Sequence, residues 1–257
     1  MRYLIALFLF PPAPVMADCV ILLHGLARTE VSLTVMQQVL ESEGYDTFAP
    51  GYASTDLPID ELAAQTLPPA IEACGDQTVH FVAHSMGGIL IRYWMQDHKP
   101  ANMGRVVMLG TPNQGSQLVD ELGDLEVFGL LHGPAGLSLG TGPDSVPLSL
   151  PSVNFEAGVI AGRNSLNPVF SAMIEGADDG KVSVASTAVA GMRDHIVLPV
   201  THTFMMNNPL VIGQTAHFLK YGRFDPELTW IDSLIGPFEG GCEEGQDCEP
   251  SDQEMRE

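Results

Sequence analysis

A serine in a turn of small residues is the first group in the chain that could carry covalent chemistry. Residues 79–88 read V-H-F-V-A-H-S-M-G-G, an apolar run that leads to Ser85 and is followed by a helical pattern over 89–96. Such a strand–turn–helix arrangement lifts a serine hydroxyl onto a sharp turn beside a helix N-terminus. The residues two before and two after the serine must be small, and Ala83 and Gly87 meet this requirement. A buried strand ending in an ordinary turn is the alternative for this motif alone.

A base and an acid that could activate the serine follow later in the chain. A serine hydroxyl is a poor nucleophile unless a base removes its proton, and the base needs a carboxylate partner. Residues 178–180 read D-D-G, and His202 comes directly after a predicted strand at 195–200. Loops that follow parallel strands emerge at one edge of the sheet, so these side chains can converge on the serine. Spacing alone does not choose between Asp178 and Asp179.

Acyl transfer also needs amide donors for the negative oxygen that develops on the substrate. The amide of Met86, directly after the serine, is one candidate. The second is expected in the loop after the first strand, where 24–26 read H-G-L, and we predict the Leu26 amide.

Other polar residues have structural interpretations. His24 is expected to shape the turn that carries the amide donor, and His84 to pack or hydrogen-bond on the opposite side of the serine turn. His195 and His217 are less favoured candidates for the base. Asp194 is a less favoured candidate for the acid, because it lies at the end of its predicted strand away from the site. No set of residues has metal-ligand spacing, so neither a metal nor a cofactor is predicted, and a calcium requirement stays open.

Short apolar runs alternate with helical patterns along the chain. Strands are predicted at 19–23, 45–49, 78–83, 105–110, 158–162 and 195–200. Helices are predicted after the first strand, at 59–73, after the serine turn and at 209–220. Continuous apolar strands that alternate with helices indicate a mostly parallel sheet with helices on both faces, the α/β class.

The segment 117–151 interrupts this alternation. It begins with a weak helical pattern and becomes rich in Gly and Pro. Such a stretch is typical of a lid or another functional loop, and a disordered insertion is the alternative. Its apolar residues favour a cover over the site: Val127, Phe128, Leu130, Leu131, Leu137 and Leu139.

The charge balance of the chain is strongly acidic. Its 257 residues include 11 Lys and Arg against 32 Asp and Glu, a formal net charge of −21. Such a surface repels phosphates, so nucleic acid and anionic lipid are not expected as partners. The length fits one sizeable domain, and the oligomeric state stays open.

The N-terminus has the composition of a secretory signal peptide. Arg2 supplies a positive charge, 3–10 form an apolar stretch, and 15–17 read V-M-A, a small-residue cleavage site. The apolar stretch is too short to span a bilayer, and no later segment is long enough. Because of the predicted signal peptide, we expect an exported protein, either periplasmic or secreted. The expected parts are a signal peptide, one α/β domain and a solvated acidic tail, at 1–17, 18–238 and 239–257.

Four cysteines in an exported chain favour disulfides, with three possible pairings. Cys19–Cys74 is favoured because each residue lies just before a predicted strand, and both sulfurs reach the same edge if those strands are neighbours. Cys242–Cys248 would close a short loop in the tail.

Five motifs together resemble a known family. They are L-L-H-G-L at 22–26, A-H-S-M-G-G at 83–88, L-G-T-P-N-Q-G-S at 109–116, D-D-G-K-V-S-V at 178–184 and H-T-F at 202–204. With them the chain resembles the α/β-hydrolases of the bacterial lipase and esterase type, with relatives among inositol-deacylase-like serine esterases.

The resemblance implies hydrolysis of a small-molecule or lipid ester through an acyl-enzyme. It places the nucleophile on Ser85, the base on His202 and the acid on the Asp directly before Gly, Asp179. An acyltransferase or thioesterase with the same three residues, and a non-catalytic binding protein of the same fold, are the alternatives. The acyl-chain length is left open.

Overall fold

A six-stranded parallel sheet forms the centre of the computed structural model, which describes residues 17–123 and 126–235 except for the side chains of 126–131 and 234–235. The strand order is β2-β1-β3-β4-β5-β6, and every neighbouring pair is parallel. The strands are β1 Cys19–Leu23, β2 Asp46–Phe48, β3 Val79–His84, β4 Met103–Leu109, β5 Ala157–Gly162 and β6 Asp194–Leu198. This arrangement confirms the α/β class, with strand ends that differ by at most two residues from those predicted.

The central strands are buried on both faces, which is why their sequences are continuous apolar runs. Every residue of β1, β3 and β5 is buried, whereas the short edge strand β2 is largely exposed. Alternating side chains serve two separate cores. Phe81 points to the core beneath one pair of helices, and Val82 points to the core beneath the other.

Helices cover both faces of the sheet. The helices of the described residues are α1 Thr34–Ser42, α2 Ile59–Ala73, α3 Met86–Trp94, α4 Gln117–Leu122, α5 Glu126–Leu137, α6 Val146–Ser149, α7 Pro168–Ser171, α8 Val184–Thr187, α9 Pro209–Tyr221 and α10 Asp232–Ile235. A 3-10 turn at Glu30–Leu33 precedes α1, and another lies at Met205–Asn207. Helices α2 and α3 pack on one face of the sheet, and α1 and α9 on the other.

Helix α9 begins and ends where local chemistry predicts. Helix α9 has Pro209 at its first position, and the Asn208 side chain accepts hydrogen bonds from the Leu210 and Val211 amides. It ends at Gly222, whose backbone is left-handed. Helix α2 matches the predicted bounds and contains Pro68 and Pro69 in its interior.

The segment 117–151 is more regular than the expected loop. It contains α4, α5 and α6, and α5 is kinked at Gly133, where φ is 63°. Of the apolar residues predicted to cover the site, Leu139 is buried and Leu137 is 45% exposed. The side chains at 127, 128, 130 and 131 lie outside the described residues.

The predicted disulfide Cys19–Cys74 is present. The two Cα atoms are 5.7 Å apart, and the bond joins the start of β1 to the end of α2. Cys242, Cys248, the tail at 239–257 and residues 1–16 of the predicted signal peptide lie outside the described residues. Within the described residues, no helix is both long and apolar enough to cross a bilayer.

Candidate active site

Ser85 occupies a sharp turn between β3 and α3. Its backbone has φ 53° and ψ −123°, a conformation that non-glycine residues rarely adopt and that concentrates at functional sites. The turn is tight because a Cβ on Gly87 would lie 2.8 Å from the Leu23 carbonyl oxygen and 2.9 Å from that of His24. The Ser85 amide donates to the Leu109 carbonyl at 2.8 Å, which joins the turn to β4.

A continuous chain of hydrogen bonds joins the three predicted side chains. His202 Nε2 lies 3.0 Å from Ser85 Oγ, and His202 Nδ1 lies 2.7 Å from Asp179 Oδ2. Both Asp179 and His202 are almost fully buried. Ser85 and His202 are 117 positions apart in the sequence, and Asp179 and His202 are 23 positions apart. All three side chains meet at the carboxyl edge of the sheet, in the segments that follow β3, β5 and β6.

The two neighbouring aspartates have different partners. Asp179 Oδ1 accepts hydrogen bonds from the Lys181 and Val182 amides, which fixes the carboxylate while Oδ2 faces His202. Asp178 Oδ1 instead accepts from the Ser171 hydroxyl and the Gly180 amide. Of the two carboxylates that spacing could not separate, Asp179 is therefore the one in contact with the imidazole.

Gly110 makes room for the contact between Asp179 and His202. It follows β4 with φ 56°. A Cβ there would lie 3.0 Å from Asp179 Oδ2 and 3.1 Å from His202 Nδ1. A side chain at this position would press on the hydrogen bond between these two residues.

The predicted amide donors lie beside Ser85. Met86 begins α3, so its amide belongs to the first turn, which has no acceptor within the helix. Among the described residues, the Leu26 amide donates to no protein group. Leu26 is followed by Ala27, whose φ is 52° and whose amide donates to Ser54 Oγ at 3.0 Å.

His24 supports this loop as expected. Its Nδ1 donates to the Gly25 carbonyl at 2.9 Å, and its ring stacks on Tyr52 with centroids 3.8 Å apart. The Tyr52 hydroxyl donates to the His24 carbonyl. Burial raises the pKa of Tyr52, which keeps it a donor, and burial lowers the pKa of His24.

His84 contacts the candidate base rather than the opposite side of the turn. The two rings are 4.8 Å apart, and His84 Nε2 lies 3.0 Å from the His202 carbonyl oxygen. Burial, and next the neighbouring His202, lower the pKa of His84 well below 6.5. The neutral ring donates from Nε2, so hydrogen bonding was predicted correctly and the direction of the side chain was not.

The remaining candidates lie elsewhere. His195 contacts the Thr187 hydroxyl at 2.9 Å, and His217 Nδ1 donates to the Arg223 carbonyl at 2.8 Å. Asp194 accepts from the Phe224 amide at 2.8 Å. No group of three or more potential metal ligands occurs among the described residues.

A narrow pocket of about 70 Å³ opens beside Ser85. Its apolar wall comprises Leu26, Pro112, Leu118, Val119, Leu139 and Val182. Arg28 and Lys181 also line it, and their roles were not predictable from the sequence. The only available signal was the position of Lys181 directly after D-D-G, and nothing in the sequence distinguishes Arg28 from a surface arginine.

Comparison with known proteins agrees with the fold. The family model described as the alpha/beta hydrolase fold matches residues 18–169. No curated protein matches the chain. Among solved structures, the chain is similar to the Bacillus licheniformis lipase BlEst2 in its mature form, with 21% identity and a TM-score of 0.65 over 81% of this chain and 94% of that one.

Two further structures show the same likeness. The metagenomic carboxyl esterase MGS0156 is 18% identical, with a TM-score of 0.59 over 75% of this chain and 68% of that one. The phospholipase PlaB from Legionella pneumophila is 21% identical, with a TM-score of 0.53 over 67% of this chain and 46% of that one. At these identities the likeness concerns the fold. Because the family model covers more than half of the sequence, the chain belongs to the alpha/beta hydrolase fold family.

Proposed function

We propose that the chain is an exported serine hydrolase that cleaves carboxylic esters. One observation carries the proposal, the hydrogen-bonded chain from Ser85 through His202 to Asp179. A fold alone does not fix a function, because many activities share it. The names of the similar lipase, phospholipase and carboxyl esterase structures add support for ester substrates.

The proposed reaction has two halves. In the first, Ser85 Oγ attacks the ester carbonyl carbon while His202 Nε2 takes the hydroxyl proton. The Leu26 and Met86 amides donate hydrogen bonds to the negative carbonyl oxygen. The bond between the carbonyl carbon and the alcohol oxygen then breaks, and His202 returns the proton to the leaving alcohol. In the second, water attacks the acyl carbonyl carbon while His202 Nε2 takes a water proton; the bond from Ser85 Oγ to the acyl carbon then breaks, His202 returns the proton to Oγ, and the acid is released.

Asp179 has a distinct role in this scheme. Its Oδ2 accepts a hydrogen bond from His202 Nδ1–H, which keeps the ring proton on Nδ1 and leaves Nε2 free to accept the serine proton. The carboxylate also stabilises the positive imidazolium that forms in each half of the reaction. No metal or cofactor takes part in the proposed steps.

Covalent labelling combined with turnover tests the assignment. Wild-type protein should hydrolyse p-nitrophenyl butyrate and gain one phosphonyl group on Ser85 from an alkyl fluorophosphonate, as measured by mass spectrometry. Ser85→Ala should lose both, while Ser116→Ala, a change at a second buried serine beside the pocket, should keep the label. Undiminished turnover by a folded Ser85→Ala protein would overturn the proposal.

The proposal of export rests on the sequence of 1–17, and the Cys19–Cys74 disulfide supports it because such bonds persist in oxidising compartments. N-terminal sequencing of protein expressed with its leader tests it. We expect the mature chain to begin at Asp18, with 18–238 as one hydrolase domain. Retention of Met1 in the folded protein would contradict export by cleavage.

A further inference from the structure

Two basic side chains share the pocket with the reactive serine. Arg28 comes from the loop after β1, and Lys181 follows the acid Asp179 by two positions. Both line the same pocket as Ser85 and His202. The chain has only 11 Lys and Arg against 32 acids, so placing two of them beside the reacting group runs against its overall charge.

Within the described residues, neither Arg28 nor Lys181 forms an ion pair with a carboxylate. In the part of the chain that the structure describes, the ion pairs involve His80, Arg105, Arg193 and His202. One Arg28 nitrogen donates to the Thr203 carbonyl at 2.9 Å, which orients the guanidinium and leaves its other donors for a ligand. Over the same described residues, the Lys181 ammonium has no hydrogen-bond partner.

The two cations are also close enough to repel one another. Burial, and next the charge of Arg28, lower the pKa of Lys181, while Asp179 opposes this effect. The charge of Arg28 also contributes to the lowered pKa of His84 in the same pocket. Like charges held together in a partly buried site are unfavourable, and a bound anion would relieve that cost.

Asp179 offsets the charge of Lys181 only in part, because burial and Arg28 still leave the pKa of Lys181 lowered and neither carboxylate oxygen forms an ion pair with the ammonium within the described residues. Its two oxygens are engaged by His202 and by the Lys181 and Val182 amides. We propose that Arg28 and Lys181 form a subsite for a negatively charged group, a carboxylate or a phosphate, carried by the ester substrate. This proposal rests on the proposed function, since it assigns the substrate class of the same site.

The subsite would select substrates locally rather than attract them from a distance. A surface with a net charge of −21 repels anions over the range of the Debye length. Within the pocket, a hydrogen-bonded contact to the guanidinium and the ammonium would outweigh that repulsion, because charged hydrogen bonds are shorter and stronger than neutral ones.

Matched pairs of esters measure this selection. One pair is 4-acetoxybenzoate and its neutral methyl ester, and the other is 1-butyrylglycerol 3-phosphate and neutral 1-butyrylglycerol. The readout is the ratio of kcat/KM for the anionic member to that for the neutral member. The first pair reports a carboxylate and the second a phosphate, and a response in either pair supports the proposal.

Lys181→Met removes the charge and keeps an unbranched side chain. We expect it to lower the ratio at least about ten-fold, as loss of a charged hydrogen bond does. Lys181→Arg should keep the ratio within roughly three-fold, because the charge remains. Lys99→Met makes the same change in net charge at an exposed site and should leave the ratio unaltered.

The outcomes separate the two proposals. Turnover that depends on Ser85, with the same ratio in wild type and Lys181→Met, would overturn the subsite and leave the esterase standing. Absence of any Ser85-dependent turnover would overturn both. If the Lys181 variants do not fold, the unaltered protein decides. Competitive inhibition of neutral-ester hydrolysis by inorganic phosphate or by benzoate, beyond that of sodium chloride at equal ionic strength, supports the subsite, and absence of inhibition by both anions overturns it.

Discussion

Replacing Asp179 by asparagine should reduce kcat for ester hydrolysis roughly 10³- to 10⁴-fold. In the proposed mechanism His202 is positively charged when it holds the serine proton, and its Nδ1 lies 2.7 Å from Asp179 Oδ2. Charge centres about 4 Å apart interact by roughly 4 kcal/mol at an effective dielectric constant of about 20. Since about 1.4 kcal/mol corresponds to a factor of ten in rate, the loss of this charge alone gives about 10³-fold.

The tautomer adds to this loss. An asparagine amide can donate to His202 Nδ1, which places the ring proton on Nε2. That nitrogen then faces Ser85 Oγ at 3.0 Å as a donor and cannot accept the hydroxyl proton. The same substitution therefore removes the charge and favours the unreactive form of the base.

Asp178→Asn is the matched control. It makes the same chemical change one residue away, but its carboxylate contacts Ser171 and Gly180 and not the imidazole. We expect a loss of about 1 kcal/mol in the free energy of unfolding and less than about ten-fold in kcat. The assay is steady-state hydrolysis of p-nitrophenyl butyrate, with thermal unfolding to verify that both variants fold. Equal losses in the two variants, or a folded Asp179→Asn protein within ten-fold of wild type, would refute the reasoning.

Three further predictions concern the scaffold of the site. Gly110→Ala should lower kcat about 10- to 100-fold in the same assay, because its Cβ would lie 3.0 Å from the acid, and wild-type kcat would contradict this. Arg92→Met should lower the free energy of unfolding by about 3 kcal/mol in urea titrations, because the buried guanidinium donates to the Asn113, Leu150 and Pro151 carbonyls. A loss below about 1 kcal/mol would refute this prediction. Burial lowers the pKa of His84, so below about pH 6.5 the unfolded chain binds a proton that the folded protein does not. The free energy of unfolding should therefore decrease as the pH falls, by up to about 1.4 kcal/mol per pH unit. His84→Gln should reduce this pH dependence, and an unchanged slope in the variant would contradict the prediction.

The framework of the sheet was predictable because buried parallel strands have a simple sequence signature. β1 needs apolar residues on both faces, and the run at 19–23 supplies them without interruption. The serine turn was equally readable, since its backbone leaves no room for a large side chain at Gly87. The neighbouring positions of β1 and β3 also made the Cys19–Cys74 pairing a geometric expectation.

Side-chain partners were less predictable. Asp178 and Asp179 share a turn, and only the backbone amides that bind each carboxylate separate their roles. The direction of His84 follows from strand alternation, because it shares a face of β3 with Val82. That face packs against the segment that carries His202, a long-range contact with no local signal.

The segment 117–151 shows where composition misleads. Its Gly and Pro residues indicated a loop, yet α5 continues to Leu137 across a kink at Gly133. A Cβ on Gly133 would overlap the Thr55 carbonyl, so the kink is set by close packing against another loop. Tertiary contact therefore determines the structure here, and propensity is a weak guide to it.

The hydrogen-bonded side chains are also held through their main chains. Thr111 Oγ1 donates to the Ser85 carbonyl, and the His202 amide donates to the Asp179 carbonyl. His84, covalently attached to Ser85, donates to the His202 carbonyl and so links the turn of Ser85 directly to the loop of His202. These anchors lie in segments that leave β3 to β6, and the strands pair in regular register at the ends that lead to the site, beyond a shift between Val79 and Phe81 of β3. Because reacting groups must be held to a fraction of an ångström, the register of the sheet, rather than the two side-chain hydrogen bonds alone, sets the distance between serine and imidazole.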